Sequence, residues 1–254
     1  MNKIIVISNI KWIHQNHPGQ IVVPLNVDST QGMAMQVYQV YQAINSLVSN
    51  NASFDGGYHL IGHAQGALVL RSVVEMFGLE VDNFISLAGV HMGVYGFDSF
   101  INRWFKDLTN WEITEMLYTK NMQTHFSVAG WWNDAKNQPK YFRDNTWLPA
   151  INQQLDEHIP TYKENFLNIG AFHAFGSQDD GTVIPWQSSI FGFYDEHLNV
   201  VPMTDQLIYI NDTFGLQTLA TNSRLSLIEI DDVKHYEWFT RQDIFVNYIL
   251  DLLS

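Results

Sequence analysis

The chain has no cysteine among its 254 residues. This removes disulfides, thiolate metal sites and a cysteine nucleophile together. Basic residues are also scarce: 13 Lys and Arg stand against 26 Asp and Glu, for a net charge of -13. Such a surface repels phosphate backbones and anionic membranes, so nucleic-acid binding is excluded and a neutral, lipidic or cationic partner fits better. No apolar run approaches the roughly 18 residues of a membrane span. The start, MNKIIVISNI, carries one lysine and an apolar run broken by Asn9, which reads as a first β-strand rather than a signal peptide. Internal repeats, linkers and low-complexity stretches are absent, as is a Gly-rich phosphate loop ending in lysine.

What remains is a globular composition. Hydrophobic residues make up 46% of the chain and charged residues 15%, against a usual charged share of about 25%. A chain of this length builds one well-buried core, so a single domain over residues 1–254 is expected. Ile- and Val-rich runs at Lys3 to Ser8, Gln20 to Leu25, Tyr58 to Ile61 and Asn83 to Leu87 alternate with helical stretches at Ile10 to Asn16, Gly32 to Ser49 and Gln65 to Phe77. That is the rhythm of an α/β fold, a mostly parallel sheet with helices on both faces. From Met92 to about Asn165 the strand signal stops and Trp, Phe, Tyr and Asn become dense, so a helical cap insertion is expected at about 97–165. Strands return at Ile169 to Gly176 and Leu225 to Ile230, and an amphipathic helix from about Trp238 to Leu253 closes the chain.

The chemistry concentrates at Tyr58-His59-Leu60-Ile61-Gly62-His63-Ala64-Gln65-Gly66, a strand that runs through a Gly-x-x-x-Gly turn into a helix. This is the pattern of the nucleophile elbow of α/β-hydrolases, in which glycines two residues either side of the nucleophile relieve the crowding of a tight turn. With serine at position 64, the hydroxyl would stand at a helix N-terminus, with the Gln65 backbone N–H aimed at a developing oxyanion. Ala64 offers no nucleophile. In this fold the acid follows a late strand and the histidine precedes the last helix. Asp180, in Gly176-Ser177-Gln178-Asp179-Asp180-Gly181, and His235 occupy those places. Taken singly, each also reads as an ordinary turn aspartate or loop histidine.

Several further stretches carry a family resemblance. Gly-His-Ala-Gln-Gly-Ala-Leu-Val-Leu-Arg at 62–71, Phe84-Ile85-Ser86-Leu87 leading to His91-Met92-Gly93-Val94-Tyr95-Gly96, and Asp179-Asp180-Gly181 leading to Pro185-Trp186-Gln187-Ser188-Ser189 resemble palmitoyl-protein thioesterases. So do Phe191-Gly192-Phe193-Tyr194, Gln206-Leu207-Ile208-Tyr209 and Phe214-Gly215-Leu216, and the Asp-Asp-Gly to Trp-Gln-Ser-Ser run resembles the second lysosomal branch most. The resemblance implies a lysosomal hydrolase of long-chain acyl thioesters (acyl-protein, acyl-peptide or acyl-coenzyme A) with an α/β-hydrolase fold, no cofactor and no metal. It also implies a triad at Ala64 (serine in the family), Asp180 and His235, with the acyl chain beneath the inserted helices. Two departures accompany it: alanine replaces the nucleophile, and the family's His-Gly loop after the first strand, source of the second oxyanion donor, is replaced by a direct passage from Ser8 and Asn9 into Ile10-Lys11-Trp12. Ser8 and Asn9 then stand where that donor is needed, beside Gln65. The alternative is a natural pseudoenzyme that binds acyl chains or a protein partner without catalysis.

Trp104, Trp111, Trp131, Trp132 and Trp186 are candidates for the acyl groove, against the equally good reading that they form the cap's own core. His14 and His17 have a metal-like spacing but no acidic third ligand nearby, and a helix end explains them better. The sequons Asn51-Ala52-Ser53 and Asn211-Asp212-Thr213 matter only on a secretory route.

Overall fold

The computed structural model describes residues 3–7, 12–16, 19–96 and 105–253. Six strands form one parallel sheet: β1 (Lys3–Ile7), β2 (Ile21–Pro24), β3 (Tyr58–His63), β4 (Val81–Leu87), β5 (Ala171–Gly176) and β8 (Leu225–Glu229), in the order β2-β1-β3-β4-β5-β8. Two further strands, β6 (Phe193–Tyr194) and β7 (Val200–Val201), make a separate antiparallel pair. The central strands β3 and β5 are buried along almost their whole length, while the edge strands β2 and β8 are only partly covered. This gradient is what a sheet covered on both faces produces. Pro24, which has no N–H to give, ends an edge strand where none is demanded.

The order reverses at β1. The chain moves from β1 outward to β2, then returns past β1 to β3 and continues one way through β4, β5 and β8. Right-handed crossovers therefore put α2 (Met33–Ser49), α3 (Gln65–Phe77) and the helix Pro160–Leu167 on one face, and α1 (Ile13–Asn16) on the other. Packing of α3 against both α2 and Pro160–Leu167 agrees with this. Pro160–Leu167 thus belongs to the layer over the sheet rather than to the cap, and Asn165 Nδ2 donates to the Glu75 carbonyl at 2.8 Å. The cap's described helices are Asn110–Leu117, Lys120–His125, Ser127–Trp131, Gln138–Asp144 and Leu148–Ile151.

The end of the chain differs from the expected single helix. Trp238 is buried against Phe175, with ring centroids 6.1 Å apart, and helical structure starts only at Gln242. The turns then widen to a π segment at Phe245–Ile249 and tighten again at Leu250–Leu253. The buried residues Phe245, Ile249 and Leu253 repeat every four positions. Positions four apart share one face of a helical segment, and this face is the one packed against the core. Gln20 Nε2 and Asn83 Nδ2 donate to the Leu253 and Leu252 carbonyls, tying this end to the sheet. Among the described residues no helix is long and apolar enough to cross a membrane.

Among the described residues, an arginine and a glutamate of α3 meet wholly inside. Arg71 Nη1 and Glu75 Oε1 of α3 are 3.6 Å apart with both side chains fully buried. Arg71 also donates to Asn152 Oδ1 at 2.6 Å and lies over the Phe214 ring, whereas the Glu75 carboxylate accepts no hydrogen bond among the described residues. Burial, only partly opposed by the Arg71 charge, pushes Glu75 up to about 8. A carboxyl raised in the folded state stabilises it below the unfolded value of 4.5, and that contribution is lost as pH rises through 8. Glu75→Gln, which cannot ionise, should therefore gain stability relative to the parent between pH 4.5 and 8, on the order of 1 kcal/mol per pH unit at most. Urea melts of both proteins across that range check this. A Gln variant that is equally destabilised at every pH would mean that Glu75 is ionised in the fold.

Candidate active site

The elbow lies where the sheet order reverses, at the C-terminal ends of β1 and β3, the crevice in which open α/β sheets place ligands. Ala64 joins β3 to α3 with φ 52° and ψ -126°. A residue with a Cβ pays roughly 1–3 kcal/mol for a conformation of this kind. Its N–H donates to the Leu87 carbonyl at 2.9 Å and its carbonyl accepts from Ala67 N at 3.1 Å, so the turn is held from both sides. Gly62 permits the close return of the helix, because a Cβ there would lie 2.6 Å from Ala67 Cα and 2.8 Å from Ala67 N.

His235 begins a short turn after β8, and its imidazole Nδ1–H donates to Asp180, with Nδ1 3.0 and 2.9 Å from the two carboxylate oxygens. Asp180 lies past β5 and is buried. Its Oδ1 also accepts the N–H groups of Thr182 at 3.0 Å and Val183 at 2.8 Å. Charge-assisted bonds of this kind offset the cost of keeping a carboxylate out of water. The two loops are further joined through their backbones: His235 N donates to the Asp180 carbonyl, Val233 N to Ser177 Oγ and Asp232 N to Asp179 Oδ2. Asp179 thus holds the loop, while its neighbour Asp180 holds the ring.

His63 has a role that sequence alone left open. Its Nε2 lies 2.8 Å from the His235 carbonyl, which can only accept, so His63 Nε2 carries the proton. Removal from water and the adjacent His235 ring, 4.6 Å away between centroids, drive the His63 pKa down to about 3. It is a neutral donor fixed to the backbone of His235. The Gln65 side chain points away from the elbow into another network: Nε2 donates to Ser29 O and Gln36 Oε1, and Oε1 accepts from Trp131 Nε1 at 2.9 Å. Gln36, on α2, gave no signal in the sequence beyond its place on a buried helix face.

A cavity of about 260 Å³ opens at this point, lined by residues that include His63, Ala64, Gln65, His235, Tyr236 and Trp131. Ala64 and His235 share it, and Asp180 stands behind His235. The aromatic set divides. Trp131 reaches the cavity, but Trp132 is fully buried in the cap, where its Nε1 donates to Thr114 Oγ1. Trp111 is 67% exposed, and Trp186 lines a different depression beside Gly192 and Leu227. Aromatic density marked the cap's own core and surface, and the expectation that Trp111, Trp132 and Trp186 form the groove is corrected accordingly. Trp104, Ser8, Asn9 and His17 lie outside the described residues. His14 is exposed, and among the described residues no three His, Asp or Glu side chains gather as a metal site would require.

A parallel sheet with a strand–elbow–helix turn at its switch point, and an Asp–His pair from the loops after its last two strands, defines the α/β-hydrolase class. Solved structures share this fold: a Bacillus licheniformis lipase, BlEst2, at TM-score 0.53 and 12% identity over 100% of this chain and 92% of that one, and a Bacillus megaterium epoxide hydrolase at 0.51 and 10% over 100% and 93%. The pattern of the family described as Palmitoyl protein thioesterase matches residues 6–235, and the chain belongs to that family. It is 34% identical to lysosomal thioesterase PPT2-B of Xenopus laevis over 94% of this chain and 84% of that protein. It is 32% identical to lysosomal thioesterase PPT2 of Homo sapiens over 96% and 82%, and 31% identical to the Drosophila melanogaster homologue over 97% and 86%.

The elbow itself can be tested. Gly62→Ala should cost about 3 kcal/mol or more, because the added methyl meets helix backbone that cannot move without shifting α3. Ala64→Gly should instead be near neutral or stabilising, since glycine relieves the positive φ. Chemical denaturation of both variants measures the two signs.

Proposed function

We propose that this protein is an acyl-thioester site of the palmitoyl-protein thioesterase type that binds its ligand without cleaving it, because Ala64 stands at the nucleophile position. The observation that carries the reading is the sharing of one cavity by Ala64 and His235, with His235 Nδ1 bound to Asp180. With Nδ1 engaged, only Nε2 of His235 is left to serve the cavity. Were position 64 serine, that nitrogen would take the hydroxyl proton as the oxygen attacked the thioester carbonyl, and would return it to the departing thiolate. Asp180 would hold the tautomer and offset the imidazolium charge, and the Gln65 N–H, first in α3 and without a helical carbonyl to bond, would face the oxyanion. Alanine removes the first of these events. Loss of such a serine costs about 10⁶ in turnover, roughly 8 kcal/mol of barrier, while the binding surface survives.

The ligand is an acyl thioester, on an acyl-protein, acyl-peptide or acyl-coenzyme A, and the acidic chain has no affinity for nucleic acid. The names of the relatives support a lysosomal setting. A protein that still hydrolyses thioesters by another route is the competing reading. It would need a nucleophile that none of the cavity residues named above supplies in the elbow's position.

The unmodified protein should show no thioester hydrolysis above its His235→Ala variant. Ala64→Ser should gain turnover that His235→Ala abolishes. The short passage after β1 that replaces the family's His-Gly loop should hold that turnover about 10² to 10³ below a complete site. Release of thiol from a long-chain acyl thioester, followed for all the proteins side by side, decides this. Turnover in the unmodified protein that depends on His235 would overturn the proposal.

A further inference from the structure

We infer that the side chain of Gln65 is a positioning residue of the acyl site: it holds the Trp131 ring as a wall of the cavity, so that one residue serves the thioester carbonyl through its backbone and the ligand's apolar part through its amide. The inference rests on the acyl-site reading above. Gln65 and Trp131 both line the cavity at Ala64. The orientation of the amide is fixed by its partners. An indole N–H can only donate, so the atom 2.9 Å from Trp131 Nε1 is Gln65 Oε1. A backbone carbonyl can only accept, so Gln65 Nε2 faces Ser29 O at 3.0 Å and gives its other hydrogen to Gln36 Oε1 at 2.8 Å. A flipped amide would fail both the indole and the carbonyl.

The bond acts on the ring rather than on the helix that carries it. The cap helix Ser127–Trp131 is held by other contacts: Ser127 Oγ donates to the Ser29 carbonyl at 2.7 Å, and the Val94 N–H donates to the Trp131 carbonyl at 3.1 Å. Gly130 brings the same helix so close to α2 that a Cβ there would meet Met33 Cγ at 2.7 Å. These contacts stay when the Gln65 amide is removed, but the indole N–H loses its acceptor. Trp131 is 6% exposed, and a donor stranded in such a place costs enough to change a rotamer population about tenfold. Trp131 borders the cavity, so its ring regains a partner in water by turning into the space the ligand needs. The competent fraction and the apparent affinity then fall together, by about that tenfold.

Calorimetric binding of octanoyl-N-acetylcysteamine, a neutral and soluble acyl thioester, tests this together with exchange of the indole N–H followed by NMR, the Trp131 resonance being assigned from its loss in Trp131→Phe. Gln65→Met keeps the backbone N–H and the side-chain length but removes the amide. Its Trp131 N–H should lose protection from exchange, and its affinity should fall about tenfold. Gln65→Glu keeps an acceptor for the indole but sets a carboxylate against the Ser29 carbonyl and Gln36 Oε1. It should therefore be no more stable than Gln65→Met in a thermal melt, yet bind about fivefold more tightly than that variant. Trp131→Phe gives up the same bond from the other side. Its loss of affinity and that of Gln65→Met should combine to less than their product, and it carries the test alone if Gln65→Met does not fold. An indole N–H that stays protected in Gln65→Met overturns the inference. Affinity that is unchanged in Gln65→Met and Trp131→Phe, or that follows thermal stability so that Gln65→Glu binds as weakly as Gln65→Met, overturns the positioning role and leaves the acyl-site reading intact. If the unmodified protein binds no thioester although its Trp131 N–H is protected, the acyl-site reading fails and the positioning role with it.

Discussion

Between His63 and Gln65 the chain turns from a central strand into a buried helix within a single residue, and much of the site follows from that turn. Ala64 is held at φ 52° although alanine does not favour it. The turn is imposed by its surroundings: β3 is locked between β1 and β4, α3 is buried on most of its surface, and Gly62 allows the two to meet at backbone distance. Such a turn aims position 64 at the cavity whatever its side chain. A change of side chain there would alter the chemistry and leave the architecture intact. The same turn leaves the first N–H groups of α3 without helical carbonyls to bond.

Persistence of the Asp180–His235 pair has a physical cause separate from turnover. Both side chains are nearly inaccessible to water, and the carboxylate is satisfied by two backbone N–H groups and the imidazole. Truncating either partner would strand a buried polar group, a loss of several kcal/mol in comparable settings. The loops that carry them share three more bonds, including one from the His235 N–H to the Asp180 carbonyl. The acid–histidine pair therefore supports the stability of the fold, and it does not by itself argue for catalysis.

The sequence made the scaffold legible because its signals were local. Ile- and Val-rich strands, Gly62 two residues before the turn, and the Asp-Asp-Gly corner after β5 each encode their conformation within a few residues. Pairing by long-range hydrogen bond left no such mark. Nothing about Gln36 or Ser29 distinguishes them in sequence, yet both hold Gln65. His63 is adjacent to the elbow, but its bond to the His235 carbonyl spans 172 positions. The cap misled for a related reason: an aromatic residue marks burial or surface area without saying which cavity it faces, and Trp132 and Trp131, neighbours in the chain, point to different places. The apolar spacing of the closing segment is near helical and predicts one regular helix, whereas Trp238 is buried in a turn ahead of the first helical residue, Gln242.

His63 links this geometry to acidity. Its pKa is driven to about 3 in the fold against 6.5 when free. As pH falls from 6.5 toward 3 the unfolded chain takes up a proton that the folded chain refuses, so His63 subtracts stability over that window. Glu75 acts with the opposite sign, contributing most below 4.5 and losing its contribution by 8. In the acidic range where the two windows overlap, between 4.5 and 6.5, the buried carboxyl offsets part of the histidine's cost. His63 remains a neutral donor there, so the carbonyl of His235 keeps its anchor. A neutral His63 thus keeps this wall of the cavity in place in the acidic range.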